Sequence, residues 1–149
     1  MNKIGSLLSF IIFFPLFVHS KAEWAFQYKF LLSKDEKAFI YVYNAKDEEA
    51  LPETYHFSWT LFDDYQLVLH TRYRNFPKQH ILIKERGKDS LKEKLLPDSI
   101  DKINSSVYLL LQFVDFDKEK NTATIEAYIH DRQKRIKVEF DDTKVRQDK

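Results

Sequence analysis

Residues 107–116 read VYLLLQFVDF, residues 122–130 read TATIEAYIH and residues 134–140 read KRIKVEF. These runs are dense in β-branched, aromatic and leucine side chains, and the last two alternate apolar with polar positions as a strand with one buried face does. With Arg132 and Gln133 as the turn, the alternation predicts a closing hairpin in which Ile129 faces Ile136, Ala127 faces Val138 and Ile125 faces Phe140. Residues 141–149 (DDTKVRQDK) read as a polar tail.

The same texture extends backwards. Residues 23–32 (EWAFQYKFLL) put Trp24, Phe26, Tyr28, Phe30 and Leu32 at spacing two, and after the polar turn 33–37 residues 38–44 (AFIYVYN) predict the partner of a first hairpin. Residues 54–61 (TYHFSWTL) and 65–73 (YQLVLHTRY) flank a turn at 62–64. Parity there predicts Trp59 opposite Leu67, Phe57 opposite Leu69 and Leu61 opposite Tyr65, with one face wholly apolar. Residues 80–84 (HILIK) form a fifth strand beyond Pro77. One segment breaks the pattern: Ser90-Leu91-Lys92-Glu93 has capping-box spacing, Leu91 and Leu95 share a helical face, and Pro97 is a stop, so a two-turn helix is expected near 90–96.

About eight strands and one short helix in residues 23–140 predict an all-β single domain, an antiparallel β-sandwich. The alternative is a small lipocalin-like barrel, which would enclose a small ligand.

The first 22 residues have another character. Lys3 precedes the apolar run 7–18 (LLSFIIFFPLFV), and small residues follow at Ser20 and Ala22, the pattern of a signal peptide cleaved after Ala22, with Ser20 as the other candidate. An uncleaved inner-membrane anchor through residues 4–18 is the alternative; the run is shorter than the roughly 20 residues of a full span and contains Pro15. With export, and with a composition rich in Lys, Ile, Phe, Tyr and Asn, the expected address is the periplasm, or else the extracellular space.

The 149 residues include 24 basic and 23 acidic side chains, and removal of Lys3 and Lys21 leaves a formal net charge of −1. So balanced a chain has no field to attract a nucleic-acid backbone, and none is expected as a partner. With no cysteine, thiol catalysis and cysteine-ligated metals are excluded, and stability rests on the core.

Four places carry candidate chemistry. The expected register sets His56 across from His70, close enough for two imidazoles to share a metal, although the neighbouring Thr54, Ser58, Thr60 and Arg72 add no carboxylate. A solvated histidine pair is the plainer reading. The tip from Asp115 to Asn121 spaces oxygen ligands like a calcium loop but has lysine where that loop needs glycine. Residues 84–94 are rich in lysine, interrupted by their own acids. Finally, the run Phe39-Ile40-Tyr41-Val42-Tyr43 carries aromatics on alternate positions, and Tyr41 and Tyr43 are the candidate partner-binding residues. No serine-hydrolase elbow, zinc-protease helix, phosphate loop or dinucleotide fingerprint is present. The sequence therefore predicts a non-enzymatic protein-binding or scaffold domain of an envelope assembly, without cofactor or stable membrane anchor after cleavage. A small-ligand or metal carrier is the alternative.

Overall fold

The computed structural model describes residues 24–47, 49–84 and 87–142. The apolar segment 1–22 and the tail from 143 onward lie outside the described residues.

Nine strands are present among the described residues: β1 (Phe26–Ser33), β2 (Ala38–Asn44), β3 (Glu53–Asp63), β4 (Gln66–Tyr73), β5 (Phe76–Ile83), β6 (Ser90–Leu96), β7 (Val107–Asp117), β8 (Thr122–His130) and β9 (Ile136–Asp142). They form two antiparallel sheets, one of four strands in the order β1-β8-β7-β6 and one of five in the order β5-β4-β3-β2-β9. Neither sheet closes on itself, so the architecture is an all-β sandwich and not the barrel. The inward positions of both sheets fill the space between them with Phe30, Leu32, Ile40, Tyr55, Phe57, Trp59, Leu69, Leu109, Leu111, Phe113 and Ile125, all essentially inaccessible. Fully burying a side chain of this size stabilises by roughly 1.5–3 kcal/mol, which is how a chain without disulfides holds together.

Inward and outward parity follows the sequence except beyond the bulge in β3, where Leu61 turns outward; several strand partners do not follow it. The segment near 90–96 is strand β6, not a helix. Leu91 and Leu95 stand four apart, a spacing that keeps both on one side of a strand as well as of a helix, and both are buried. A two-turn helix gains too few internal bonds to offset its nucleation. The open edge of β7, by contrast, offers a full ladder, from Ser90↔Gln112 through Leu91↔Leu111 to Leu96↔Val107, with a bulge between Lys94 and Leu96.

The two outer hairpins are also replaced. β1 pairs with β8 and not with β2, and β9 pairs with β2 and not with β8, so Ile129 lies beside Phe26 and Leu109, while Val138 lies beside Val42. In both places the short connection arches from one sheet to the other. Alternation is the same whether two strands lie side by side or face to face across a core, and the arches carry the distinguishing bonds. In the first, the Ser33 amide donates to Glu36 Oε2 (2.7 Å) and the Asp35 amide, with Asp35 at φ 64°, donates to the Trp59 carbonyl (2.9 Å). In the second, the buried Asp131 carboxylate accepts the amides of Arg135 and Ile136, each at 3.0 Å.

The central hairpin forms, in a shifted register. Asp64 and Tyr65 both take positive φ (41° and 73°), making a two-residue tip that pairs Asp63 with Gln66; a bulge between Trp59 and Leu61 then sets Trp59 opposite Leu69 and Phe57 opposite Thr71. The expected Trp59–Leu67 alignment has the right faces for Phe57, Trp59, Leu67 and Leu69 but the wrong neighbours, and beyond the bulge Leu61 and Tyr65, expected on the apolar face, are 56% and 54% exposed. β5 begins earlier than expected, at Phe76, and tolerates Pro77 because it is an edge strand. β9 runs two residues into the expected tail.

Replacing Asp131 by Ala removes both acceptors from amides that have no alternative in the arch and should cost roughly 2–3 kcal/mol in urea denaturation, with Asp131→Asn retaining part of it. A loss below about 0.5 kcal/mol would show that the arch does not depend on this carboxylate.

Candidate functional site

The outward positions of β2, β3 and β4 gather the histidine and tyrosine candidates onto one surface. Phe39, Tyr41 and Tyr43 project from β2, Thr54, His56 and Ser58 from β3, and His70 and Arg72 from β4, most of them half-buried. The rings lie in parallel: Phe39 and Tyr41 have centroids 6.2 Å apart at 6°, and Phe39 and His56 are 5.8 Å apart at 10°. Tyr43 donates its hydroxyl proton to Glu139 Oε2 on β9 (3.1 Å).

The register places Arg72, not His70, across from His56, and His70 sits across from Ser58. The two imidazoles are thus diagonal neighbours. His70 Nε2 is 3.0 Å from Thr60 Oγ1, and His56 is held below the usual histidine range by burial and by the positive charges of Lys37 and Arg72. Among the described residues no group of three or more His, Cys, Asp or Glu is arranged to hold a metal.

Beside the aromatic stripe a shallow cleft of about 440 Å³ is lined by Phe39, Glu53, Thr54, His56, Arg72, Arg74 and Asn75. Its organising group is Glu53. The Tyr73 hydroxyl donates to Glu53 Oε2, with the Leu95 carbonyl of the other sheet as a second acceptor at 3.0 Å, and Arg74 Nε donates to the same Glu53 oxygen at 2.8 Å. Burial pushes the Glu53 carboxyl up, but the hydrogen bonds from Arg74 and Tyr73 and the arginine charge outweigh it and hold the group below the usual range. Arg74 also lies 5.2 Å from the centre of the Tyr73 ring.

Around the corner, where β5 and β6 leave the sandwich open, a second cleft of about 310 Å³ is lined by Tyr55, Thr71, Tyr73, Phe76, Glu93 and Lys94 among others. Lys78 and Glu93 pair across its mouth (2.7 Å). At its base the Tyr55 hydroxyl is buried without a hydrogen-bond partner. Burial raises the phenol strongly, and the neighbouring Thr71 hydroxyl, itself 3.3 Å from His80 Nε2, offsets part of that push. The sequence reading missed this cleft. The available signal was Tyr55 and Tyr73 on inward parity, where a phenol needs a partner the aliphatic positions cannot supply.

The other candidates resolve into local structure. At the 115–121 tip, Asp117 Oδ1 accepts the amides of Glu119 and Lys120 at 3.0 Å, and Asp115 pairs with Lys84, just past β5, at 2.9 Å, so both carboxylates are engaged within the domain. In the 84–94 run, the Lys92 ammonium lies 3.8 Å from the centre of the Tyr108 ring.

Comparison with family models, with curated proteins and with solved structures returns no match, so the site is read from its own geometry.

Tyr55→Phe removes an unsatisfied buried hydroxyl and should leave stability unchanged or raise it by up to about 1 kcal/mol, whereas Tyr73→Phe, which severs the link to Glu53 and Leu95, should lower it by about 1–2 kcal/mol. Urea denaturation of the two variants checks this. A marked loss for Tyr55→Phe would mean that the phenol has a partner.

Proposed function

We propose that the chain is an exported, periplasmic, non-enzymatic protein-binding domain that serves as a scaffold subunit of an envelope assembly. The observation that carries the reading is the outer face of the five-stranded sheet, where Phe39, Tyr41, Tyr43 and His56 lie beside Arg72 and Arg74. Aromatic and arginine side chains dominate the energetic centres of protein interfaces, because they bring large, rigid area and directed hydrogen bonds together. Rings already stacked on a β-sheet lose little further freedom on contact, which favours association. Export rests on Lys3, the apolar run 7–18 and the small residues at Ser20 and Ala22.

A second reading, a small-ligand carrier, is favoured by one specific feature, the unsatisfied Tyr55 hydroxyl at the base of the cleft between β5 and β6. A hydrogen-bond acceptor entering there would satisfy it. Native mass spectrometry of the purified protein distinguishes the two, since a carrier retains a stoichiometric adduct that Tyr55→Phe weakens.

For the scaffold reading, a photo-crosslinking amino acid at position 41 should yield one dominant adduct with an envelope protein in living cells. The same probe at position 27, exposed on the other sheet, should not, and Arg72→Glu should reduce the position-41 adduct severalfold. Equal adduct patterns at 41 and 27, or none at 41, would refute the binding face.

A further inference from the structure

The antiparallel topology brings the β2–β3 connection (45–52), the β4–β5 tip, the β6–β7 connection (97–106), the β8–β9 arch and the start of β1 to one end of the sandwich. That end carries the four most exposed large apolar side chains of the described residues. Ile100 is fully exposed, Leu51 and Ile103 are 91% exposed and Phe76 is 72%, while the next, Leu61, is 56%.

The β6–β7 connection is a built structure. Ser105 Oγ accepts the Ser99 amide (2.7 Å) and donates to the Lys102 carbonyl (2.8 Å), closing a tight turn, and the Arg135 guanidinium donates to the carbonyls of Pro97 and Ser105 (2.9 Å to the latter). The Ala45 amide in turn donates to the Arg135 carbonyl (2.9 Å), tying the β2–β3 connection to the same anchor. Isoleucines on a loop fastened by this many bonds stay in water, with no side chain of the domain to cover them.

Two further observations say what covers them. On the outer face of the four-stranded sheet, close to this end, Trp24 packs against Tyr108 (6.1 Å) and Tyr128 (5.3 Å), and Tyr108 stacks on His130 (4.6 Å). Trp and Tyr gather at the headgroup level of a bilayer, where an apolar ring and a polar tip are both accommodated. In addition, the chain enters the domain at this end, at Trp24, and the apolar run 7–18 precedes it by a few residues, so a chain that retained that run would be held to a bilayer at this end. Asp101 flanks Ile100 as closely as Lys102 flanks Ile103, so the end has no one-signed field and the contact is apolar.

We infer that this end of the sandwich is a bilayer-docking surface, with Leu51, Ile100 and Ile103 inserted among the acyl chains and Trp24 and Tyr108 at the headgroups. All nine strands and the buried core of the described residues lie between Phe26 and Asp142, so the chain from Glu23 carries all of them and tests the surface independently of the apolar run and of the scaffold reading.

The experiment is co-sedimentation of that chain with vesicles of phosphatidylethanolamine containing one quarter phosphatidylglycerol. The expected result is binding that persists in high salt and falls at least about tenfold when Leu51, Ile100 and Ile103 are all changed to Ser, since each inserted aliphatic side chain contributes on the order of tenfold. Leu61→Ser with Tyr65→Ser, at the opposite end, should stay within about twofold of the unaltered chain. The inference is overturned by a chain that stays in the supernatant, by equal losses in both variants, or by binding that high salt abolishes. It is equally overturned if the triple variant instead dissolves a dimer seen by sedimentation velocity while vesicles bind nothing, which would assign the surface to a second copy.

Discussion

The indole N–H of Trp59 donates to the Leu32 carbonyl at 2.8 Å across the interior, from β3 of one sheet to β1 of the other. The Trp59 carbonyl accepts the Asp35 amide from the arch that joins β1 to β2. One residue therefore fixes the distance between the sheets, supplies the largest fully buried side chain and holds the turn by which the chain changes sheets. Its ring then sets what packs beside it: Phe116 meets it edge-on at 5.4 Å and stacks on Phe62 at 3.9 Å, closing the end of the sandwich opposite the Arg135 anchor. Because a buried indole N–H without an acceptor would be costly, the geometry of this bond constrains both sheets at once. Asp131 plays the corresponding part for the second arch, so the topology depends on polar groups placed where the chain crosses.

The contrast between what the sequence reveals and what it conceals follows from that arrangement. Alternation reports which side of a strand meets the core, and it does so for Phe30 and Leu32, for Ile125 and Ile129, and for Trp59 and Leu69. It does not report which strand lies alongside. A hairpin and an arch between sheets have the same period and similar short polar turns, so the β1–β2 and β8–β9 partnerships were not legible. The signals that decide them, the Glu36 and Asp131 side chains closing onto backbone amides, look like ordinary loop polarity until the turn is formed. Leu91 and Leu95 show a related ambiguity, because a spacing of four belongs to both periods, and only the unpaired edge of β7 resolves it.

The candidate site divides along the same line. Parity suffices to turn Tyr41, Tyr43, His56 and His70 outward; that they share one face follows from β2, β3 and β4 lying in a single sheet, which parity does not report. Neighbour relations need the two-residue tip at Asp64 and Tyr65, which moves His70 away from His56, and the bulge beyond Trp59, which then brings Arg72 opposite His56. The Glu53–Tyr73–Arg74 cluster, which organises the cleft beside the stripe, depends on a hairpin tip at Arg74 and Asn75 and on the Leu95 carbonyl of the other sheet. Such a site is assembled by tertiary structure from residues 53, 73, 74 and 95, and no local pattern encodes it.

The most direct measurement of this account is hydrogen exchange at the two tryptophan indoles. The protein has only Trp24 and Trp59, so the two resonances are assigned by one substitution. With its N–H bonded to Leu32 inside the core, Trp59 should exchange only through global unfolding, while the half-exposed Trp24 exchanges rapidly. Rapid exchange of both indoles would contradict the inter-sheet bond, and with it the crossing of the chain at Asp35 on which the sandwich is built.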